Sequence, residues 1–455
     1  MNTLVLFKNN LRIQDNPVLY NAVKNNHIIP VYILDEHYTS KNLGSASKYW
    51  LHNALQSLNS SLNNKLLFFK GETQSIIDKL IDQFDVKDIY CEEAFLQDDI
   101  KLLEKLKLFL ASRNISLHIF NCTLLWEPYS VLKDDGTPYK VFTPFYRKGC
   151  VDRIVPPQPL GKPSNISYAN IENKTHISDL NLLGKFQWYN KLNSIWEISE
   201  KKALQIFYDF VESPIYSYKK GRDYPAQNFN SRLSPYIRFG MISVNRIWHE
   251  VDNLVSDKNT AHFKSEIGWR EFSYYLLYHF PKMQNQNLQS KFDNFEWENS
   301  SEKFEAWKRG ETGFPIIDAG MRELWETGYM HNRIRMVVSS FLVKNLSVDW
   351  KLGEQWFWDC LLDADYASNV AGWQWVAGTG SDAAPYFRIF NPILQGERFD
   401  ETGEYTLKYL PELKTIPLKF LQKPWEVNSG FNYIKPIIDY KESRETALTK
   451  YSMIK

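Results

Sequence analysis

Between Gly372 and Pro392 the chain reads Gly-Trp-Gln-Trp-Val-Ala-Gly-Thr-Gly-Ser-Asp-Ala-Ala-Pro-Tyr-Phe-Arg-Ile-Phe-Asn-Pro, which puts two tryptophans, three glycines and a late arginine in one run. Trp373 and Trp375 offer flat, oxidisable, apolar rings, while Gly372, Gly378 and Gly380 permit tight turns or the close approach of a planar ligand. By composition the run is loop-like. Just upstream, Asp363, Asp365 and Asn369 supply acceptors and one amide. The set describes the rim of a pocket for an aromatic cofactor with a hydrogen-bonding edge. An irregular core loop around buried tryptophans is the competing description.

Two further stretches repeat this chemistry at helical spacing. In Phe263-Lys-Ser-Glu-Ile-Gly-Trp-Arg-Glu-Phe272, Glu266, Trp269 and Arg270 fall at i, i+3 and i+4 and share one face. A carboxylate, a ring and a guanidinium on one stripe suit an aromatic heterocycle beside a phosphate, although a surface ion pair with a core tryptophan has the same spacing. In Gly328-Tyr-Met-His-Asn-Arg-Ile-Arg-Met-Val-Val338, Asn332, Arg335 and Met336 follow the same rule, with Arg333 on a neighbouring face. Two arginines at an otherwise apolar helix start need partners, and Asp363 or Asp365 are the expected ones. His331 is assigned no role, because nothing beside it resembles a metal ligand set.

Gln227-Asn-Phe-Asn-Ser-Arg-Leu-Ser-Pro235 brings hydroxyls, backbone amides and Arg232 ahead of a helical segment, which suits phosphate anchoring or an ordinary cap. Lys219, Lys220, Arg222, Arg270, Arg333 and Arg388 can form a basic rim. With Trp269 and Trp375 they make a stacking pocket ringed by phosphate contacts.

These residues need a scaffold. A chain of 455 residues with 44% hydrophobic content has enough apolar material for two or three domains. Basic side chains number 54 and acidic ones 53, so any nucleic-acid site must be a local patch. Cys91, Cys122, Cys150 and Cys360 lack metal or disulfide spacing, which fits a reducing, cytoplasmic compartment. The start has too short an apolar run for a signal peptide, and no later stretch reaches the length of a membrane span, so a soluble protein without membrane contact is expected. Ten of the 15 tryptophans fall between Trp248 and Trp375, marking the second half as the site of aromatic chemistry.

Up to about Phe120, apolar runs at Leu4–Phe7, Ile28–Leu34, Leu66–Phe69, Asp88–Cys91 and Leu117–Phe120 read as strands. Between them, Lys48–Leu58, Thr73–Phe84 and Asp98–Ser112 read as helices. This alternation predicts a doubly wound, parallel, Rossmann-like sheet in an α/β domain over residues 1–130. Its first turn, Lys8–Pro17, has no glycine, which argues against dinucleotide binding there and demotes an NAD dehydrogenase. Residues 131–199 read as an interdomain linker. Residues 200–455 read as an all-α domain with helices over Glu200–Glu212, Ser243–Leu254, Phe263–Phe280, Ile316–Glu326, Arg333–Leu346 and Gly353–Leu361.

Taken in order, the motifs resemble the photolyase and cryptochrome family, specifically the bacterial class I cyclobutane pyrimidine dimer photolyases. The resemblance runs from Leu4–Pro17 through Lys140-Val-Phe-Thr-Pro-Phe145, Gly221-Arg-Asp-Tyr-Pro225, Trp269-Arg-Glu-Phe272, Gly313-Phe-Pro-Ile-Ile-Asp-Ala319 and Met330-His-Asn-Arg-Ile-Arg-Met336 to the Trp373 run. It implies light-driven repair of ultraviolet-damaged DNA with FAD held in the helical domain. The implied FAD contacts are Tyr218, Asn230, Ser231, Arg232, Leu233, Ser234, Phe263, Glu266, Arg270, Tyr329, Asn332, Arg335, Asp363, Asp365 and Asn369.

The resemblance also assigns roles. Asn369 would accept from a protonated flavin N5, and Arg335 paired with Asp363 would place positive charge beside the reduced ring. Glu266, Asn332, Asn369 and Met336 form the implied catalytic set. The lesion and its DNA would meet Arg222, Glu266, Trp269, Arg270, Asn332, Arg333, Met336, Trp375 and Arg388, with the damaged pair flipped out of the stack, as photolyases are known to do. Trp373, Trp350 and Trp297 match the family's electron-transfer chain. Asn230 stands where the family usually has threonine, and Phe263 and Tyr329 each replace a tryptophan. Lys41, Gln97 and Asp98 occupy positions where folate-binding relatives carry a histidine and an Asn-Glu pair, so a second antenna chromophore of folate or deazaflavin type is left unassigned. Damaged DNA is the expected partner, with no obligate protein partner and no metal.

Three rivals are weighed. A blue-light-sensing cryptochrome of the plant type usually has aspartate at the Asn369 position and a long tail, whereas this chain ends at Lys455. Six-four photolyases typically show paired histidines where this chain reads Met330-His-Asn-Arg333. A light-independent flavoprotein or DNA-binding module has no need of three matched tryptophans.

Overall fold

The computed structural model describes residues 2–24, 27–36, 41–171, 173–427 and 433–454. The chain folds as two compact units, Met1–Glu212 with Ser231–Pro281, and Ser213–Asn230 with Lys282–Lys455.

In the first unit, β1 (Asn2–Phe7), β2 (His27–Leu34), β3 (Leu67–Lys70), β4 (Val86–Glu92) and β5 (Ser116–Phe120) form one sheet in the order β3-β2-β1-β4-β5. Every pairing is parallel, with Leu4 opposite Ile29 on one side and Ile89 on the other. The order reverses between β1 and β4, as the expected doubly wound sheet requires. Helices α1 (Pro17–Ala22), α2 (Ser45–Ser61), α3 (Thr73–Phe84) and α4 (Gln97–Ser112) make the crossovers. The strands are almost continuously apolar because helices cover both faces. Leu4, Ile29, Val31 and Ile89 pack with Ile77, Leu80 and Ile81 of α3 and Leu106 and Leu110 of α4.

The glycine-free first turn is filled by its own side chains. Buried Arg12 donates to the carbonyls of Asp15, Gly240 and Cys122. Asn16 donates to the carbonyls of Asn10 and Arg12, and its own oxygen caps α1. A Cβ on Gly240, at φ +63°, would stand 1.8 Å from the Asn9 carbonyl oxygen, so only glycine fits there.

Residues 131–199, expected as a linker, belong to the first unit. They carry a π-helical turn at Phe145–Val151, 3-10 turns at Ile177–Leu180 and Trp188–Ser194, and a parallel bridge from Tyr168 to Ile28. Leu180, Leu182, Leu192 and Trp196 are buried. The expected boundaries at 130 and 199 therefore do not coincide with the units, because a segment without periodicity can still be ordered by long-range packing. Helices α5 (Glu200–Glu212), α6 (Val244–Asp252) and α7 (Lys258–His279) complete this unit.

The second unit contains α8 (Ser301–Arg309), α9 (Pro315–Thr327), α10 (Asn332–Ser340), α11 (Trp350–Cys360), α12 (Tyr366–Ala377), α13 (Pro392–Phe399) and α14 (Tyr440–Ser452). One expectation is corrected here. Trp373 and Trp375 lie in the last turns of α12, not in a loop. Asp365 caps that helix by accepting from the Ser368 N–H at 2.8 Å, and Gly378, at φ +83°, ends it. The expected helix Arg333–Leu346 is regular to Ser340 and continues as a π-helical turn, Phe341–Asn345. No described helix is long and apolar enough to cross a membrane. Among the described residues no group of His, Cys, Asp and Glu could hold a metal ion.

Candidate functional site

In the first unit the candidate residues sit on α7 and on the segment before α6. The Trp269 ring stacks on Phe142 with centroids 3.9 Å apart and planes 10° apart, and Phe142 stacks in turn on Tyr146 at 5.3 Å. Gly268 makes room, since a Cβ there would stand 2.5 Å from the Tyr146 ring. Glu266 lies 3.7 Å from His262, one turn back. Arg270 donates to the Thr123 carbonyl at 3.0 Å and to Glu271 at 2.8 Å, so its acidic partner is its chain neighbour.

Glu271 is itself buried and also accepts from the Leu125 and Trp126 N–H groups. Burial pushes its carboxyl up to about 7, against the Arg270 charge and the two N–H donors, which favour ionisation. Phe263 packs on Phe210 at 4.9 Å. Arg232 adopts a left-handed backbone, φ +53°, with its guanidinium 4.5 Å over the Trp196 ring. Leu233 is buried, its N–H donates to Ser231 Oγ at 3.4 Å, and Ser234 opens a short helix, Ser234–Arg238.

In the second unit, Arg335 donates to Asp363 at 2.8 Å and to the Met330 carbonyl at 2.7 Å. Arg333 donates to Asp223 at 2.7 Å, a partner not anticipated, and stacks 4.4 Å over Phe399. Asn369 Nδ2 donates to the side chain of buried Glu354 at 2.7 Å and to its carbonyl at 3.0 Å, so the amide hydrogens are committed and the Asn369 oxygen faces the other way. Asn332 opens α10 and is exposed, and Met336, one turn on, is half-buried. Tyr329 lies under Arg335 at 5.3 Å, and buried Tyr218 lies under Arg222 at 5.6 Å. Asn230 Nδ2 lies 2.6 Å from His331 Nε2. Trp375 is half-buried and Arg388 exposed, with the Arg388 carbonyl accepting from Lys344 at 2.8 Å.

The three candidate electron carriers lie on adjoining elements of this unit. Trp373 is buried against Phe357 at 4.9 Å and Trp307 at 6.3 Å. Gly353, one turn after Trp350 on α11, touches the Trp373 ring, where a Cβ would come within 2.2 Å. Trp350 is buried and donates to Asn287 at 2.9 Å. The segment after Trp297 is tied to the residues before α11, with the Glu298 N–H donating to the Ser347 carbonyl at 2.8 Å and the Asp349 N–H to Asn299 at 2.9 Å. Of the antenna positions, Gln97 and Asp98 open α4, where Asp98 pairs with Lys101 at 3.2 Å, and Lys41 is half-buried before α2.

Phe142, Asp223, Glu271, Glu354 and His331 were not singled out for a site role from sequence. Asp223 and Glu271 sit inside quoted motifs, so the need of Arg333 and Arg270 for an acid could have found them. Phe142, although inside the quoted Lys140–Phe145 motif, and Glu354 carry no local signal of their roles, because their partners come from other elements.

A family profile described as DNA photolyase matches residues 3–163, and one described as the FAD binding domain of DNA photolyase matches residues 263–453. The chain is 39% identical to a deoxyribodipyrimidine photo-lyase of Agrobacterium fabrum, over 99% of this chain and 98% of that one. It is 34% identical to cryptochrome-2 of Arabidopsis thaliana, over 97% of this chain and 77% of that one. Among solved structures it is similar to a bacterial class III photolyase from Agrobacterium tumefaciens, with a TM-score of 0.94 and 39% identity over 100% of this chain and 97% of that one. That neighbour is of class III, which corrects the expected likeness to class I. An acceptor oxygen set by Glu354 and a guanidinium fixed by Asp363 suit a flat heterocycle that presents an N–H and carries negative charge when reduced, so this donor set fits FAD. With both profiles matched and relatives aligned over nearly its whole length, the chain belongs to the DNA photolyase and cryptochrome family.

Proposed function

We propose that this protein repairs cyclobutane pyrimidine dimers in DNA under light, as a deoxyribodipyrimidine photo-lyase. When bound, reduced FAD supplies the electron that, on excitation, opens the dimer and then returns. The chain's own residues bind, orient and shield. In the second unit, Arg335 held by Asp363 sets a fixed positive charge, and Asn369 offers its oxygen to an N–H of the ring edge. Tyr218, Asn230, Tyr329, Asn332 and Asp365 are further proposed contacts there. In the first unit, Ser231, Arg232, Leu233, Ser234, Phe263 and Arg270 are proposed contacts, and Glu266 is proposed to hydrogen-bond both cofactor and lesion.

For the lesion, Trp269 has one face against Phe142 and so offers the other to an apolar dimer. Met336 and Trp375 would add apolar contact. Asn332 would bind the base edge, and Arg222, Arg270, Arg333 and Arg388 would bind phosphates. Trp373, Trp350 and Trp297 would carry electrons inward during photoreduction.

The observation that carries this reading is the amide at position 369, whose orientation is set by Glu354 so that an oxygen, and not a donor, faces outward. A purified sample tests it. The expected outcome is a bound flavin spectrum and, under near-ultraviolet or blue light, restoration of intact thymines in a dimer-containing oligonucleotide. A flavin-loaded protein that leaves the dimer intact, yet changes conformation under light, favours the sensing role of cryptochromes.

A further inference from the structure

We infer that His331 is a positioning residue that turns the Asn230 amide so that its NH2 group points away from the ring, as a donor to an anionic oxygen of the FAD diphosphate; this rests on the FAD reading above. His331 is 4% exposed and held on several sides. Its backbone N–H donates to Glu323 at 3.2 Å, and Glu323 also accepts from the Tyr405 hydroxyl at 2.7 Å. Its Nδ1 accepts from the Arg333 N–H at 3.2 Å and so caps α10.

An accepting nitrogen carries no proton, and a neutral imidazole has only one, so that proton is on Nε2. The ring is neutral at working pH. Burial, with Arg222 nearby, pulls its pKa down to about 3, Arg333 and Arg335 act in the same sense, and Asp223 opposes them.

As placed, Asn230 Nδ2 is the atom 2.6 Å from that Nε2. The two ends of an amide are alike in shape, so the partner decides which one faces the ring. An NH2 group there would set donor against donor, whereas the oxygen accepts from Nε2–H. The NH2 group is then left to face outward. Asn230 directly precedes Ser231 and Arg232 in the segment whose composition suits phosphate anchoring.

Selective 15N-histidine NMR of the apoprotein should find the Nε2–H form at His331. Flavin fluorescence in the dark should find FAD binding weakened about tenfold in His331→Asn, which keeps a cap acceptor but has no Nε2–H to reach Asn230. Asn230→Asp, which can still accept from the ring but sets an anion toward the diphosphate, should weaken it by more than that. Both apoproteins should melt within a few degrees of wild type. An Nδ1–H form at His331, or wild-type FAD affinity in either variant, overturns the inference. A wild-type protein that takes up no FAD overturns the photolyase reading instead, and the NMR result then decides the tautomer by itself.

Discussion

The indole of Trp269 and the ring of Phe142 lie nearly parallel at 3.9 Å, so one face of the tryptophan is occupied before any ligand arrives. Aromatic pairs of this kind contribute about 0.5–1.5 kcal/mol beyond the area they bury. Phe142→Ala should let Trp269 rotate and weaken binding of a thymine-dimer oligonucleotide by about three- to tenfold. Affinity for undamaged DNA, which depends on phosphate contacts, should stay unchanged in fluorescence anisotropy.

Asp363 is buried and faces Arg335 at 2.8 Å. Replacing one partner of such a pair leaves a partly buried charge without its counter-ion, which costs about 3 kcal/mol. Asp363→Asn should lower the melting temperature and release flavin on gel filtration. Wild-type melting with full flavin retention would show that the pair does not hold the site.

For Trp373 the crowding at Gly353 offers a test that leaves the tryptophan in place. A Cβ at 353 would meet the indole at 2.2 Å, so Gly353→Ala should displace the ring and cost about 1–3 kcal/mol of stability. Both Gly353→Ala and Trp373→Phe should slow photoreduction of the oxidised flavin while pre-reduced enzyme still repairs. Transient absorption after a blue flash reads this directly, and normal photoreduction in Trp373→Phe would remove that residue from the electron path.

Stability should depend on pH through Glu271. Its carboxyl, pushed up by burial to about 7 from an ordinary 4.5, holds its proton longer in the folded state than in the unfolded chain. The folded state therefore binds more protons between about pH 4.5 and 7, and unfolding free energy falls as pH rises through that window. Glu271→Gln should flatten this slope in melting curves taken from pH 4.5 to 8. Because the amide also sets an NH2 group toward Arg270, flavin affinity should fall in the same variant.

Removing the orienting acid at position 354 tests the Asn369 assignment. Glu354→Ala frees the amide to rotate, so repair yield should fall by about tenfold or more while flavin content changes little. Equal repair by this variant and wild type would mean that the amide orientation is not used.

Several of these relationships were legible in the sequence and others were not. The strands announce themselves as apolar runs, and the bounds of α3 and α5 coincide with the expected Thr73–Phe84 and Glu200–Glu212 because each buries one clear stripe. The end of α12, from Gly372 on, reads as loop-like in the sequence for a physical reason. Val370, Trp373, Gln374, Val376 and Ala377 are all buried, so no polar face alternates with an apolar one, and its glycine and asparagine read as turn formers. The partnership of Arg335 with Asp363 followed from the cost of burying a lone charge. Trp269 with Phe142, Asn369 with Glu354 and Asn230 with His331 each join separate elements, and only tertiary packing brings them together.

Arg12 sits in the turn after the first strand, yet one of its carbonyl partners belongs to Gly240, 228 residues later. At ribosomal speeds of about 5–20 residues per second, that partner emerges roughly 10–50 s after the arginine. During this interval water takes the place that the Gly240 carbonyl will fill beside the guanidinium. The buried hydrogen-bond set of this first turn is thus completed only when the later segment arrives.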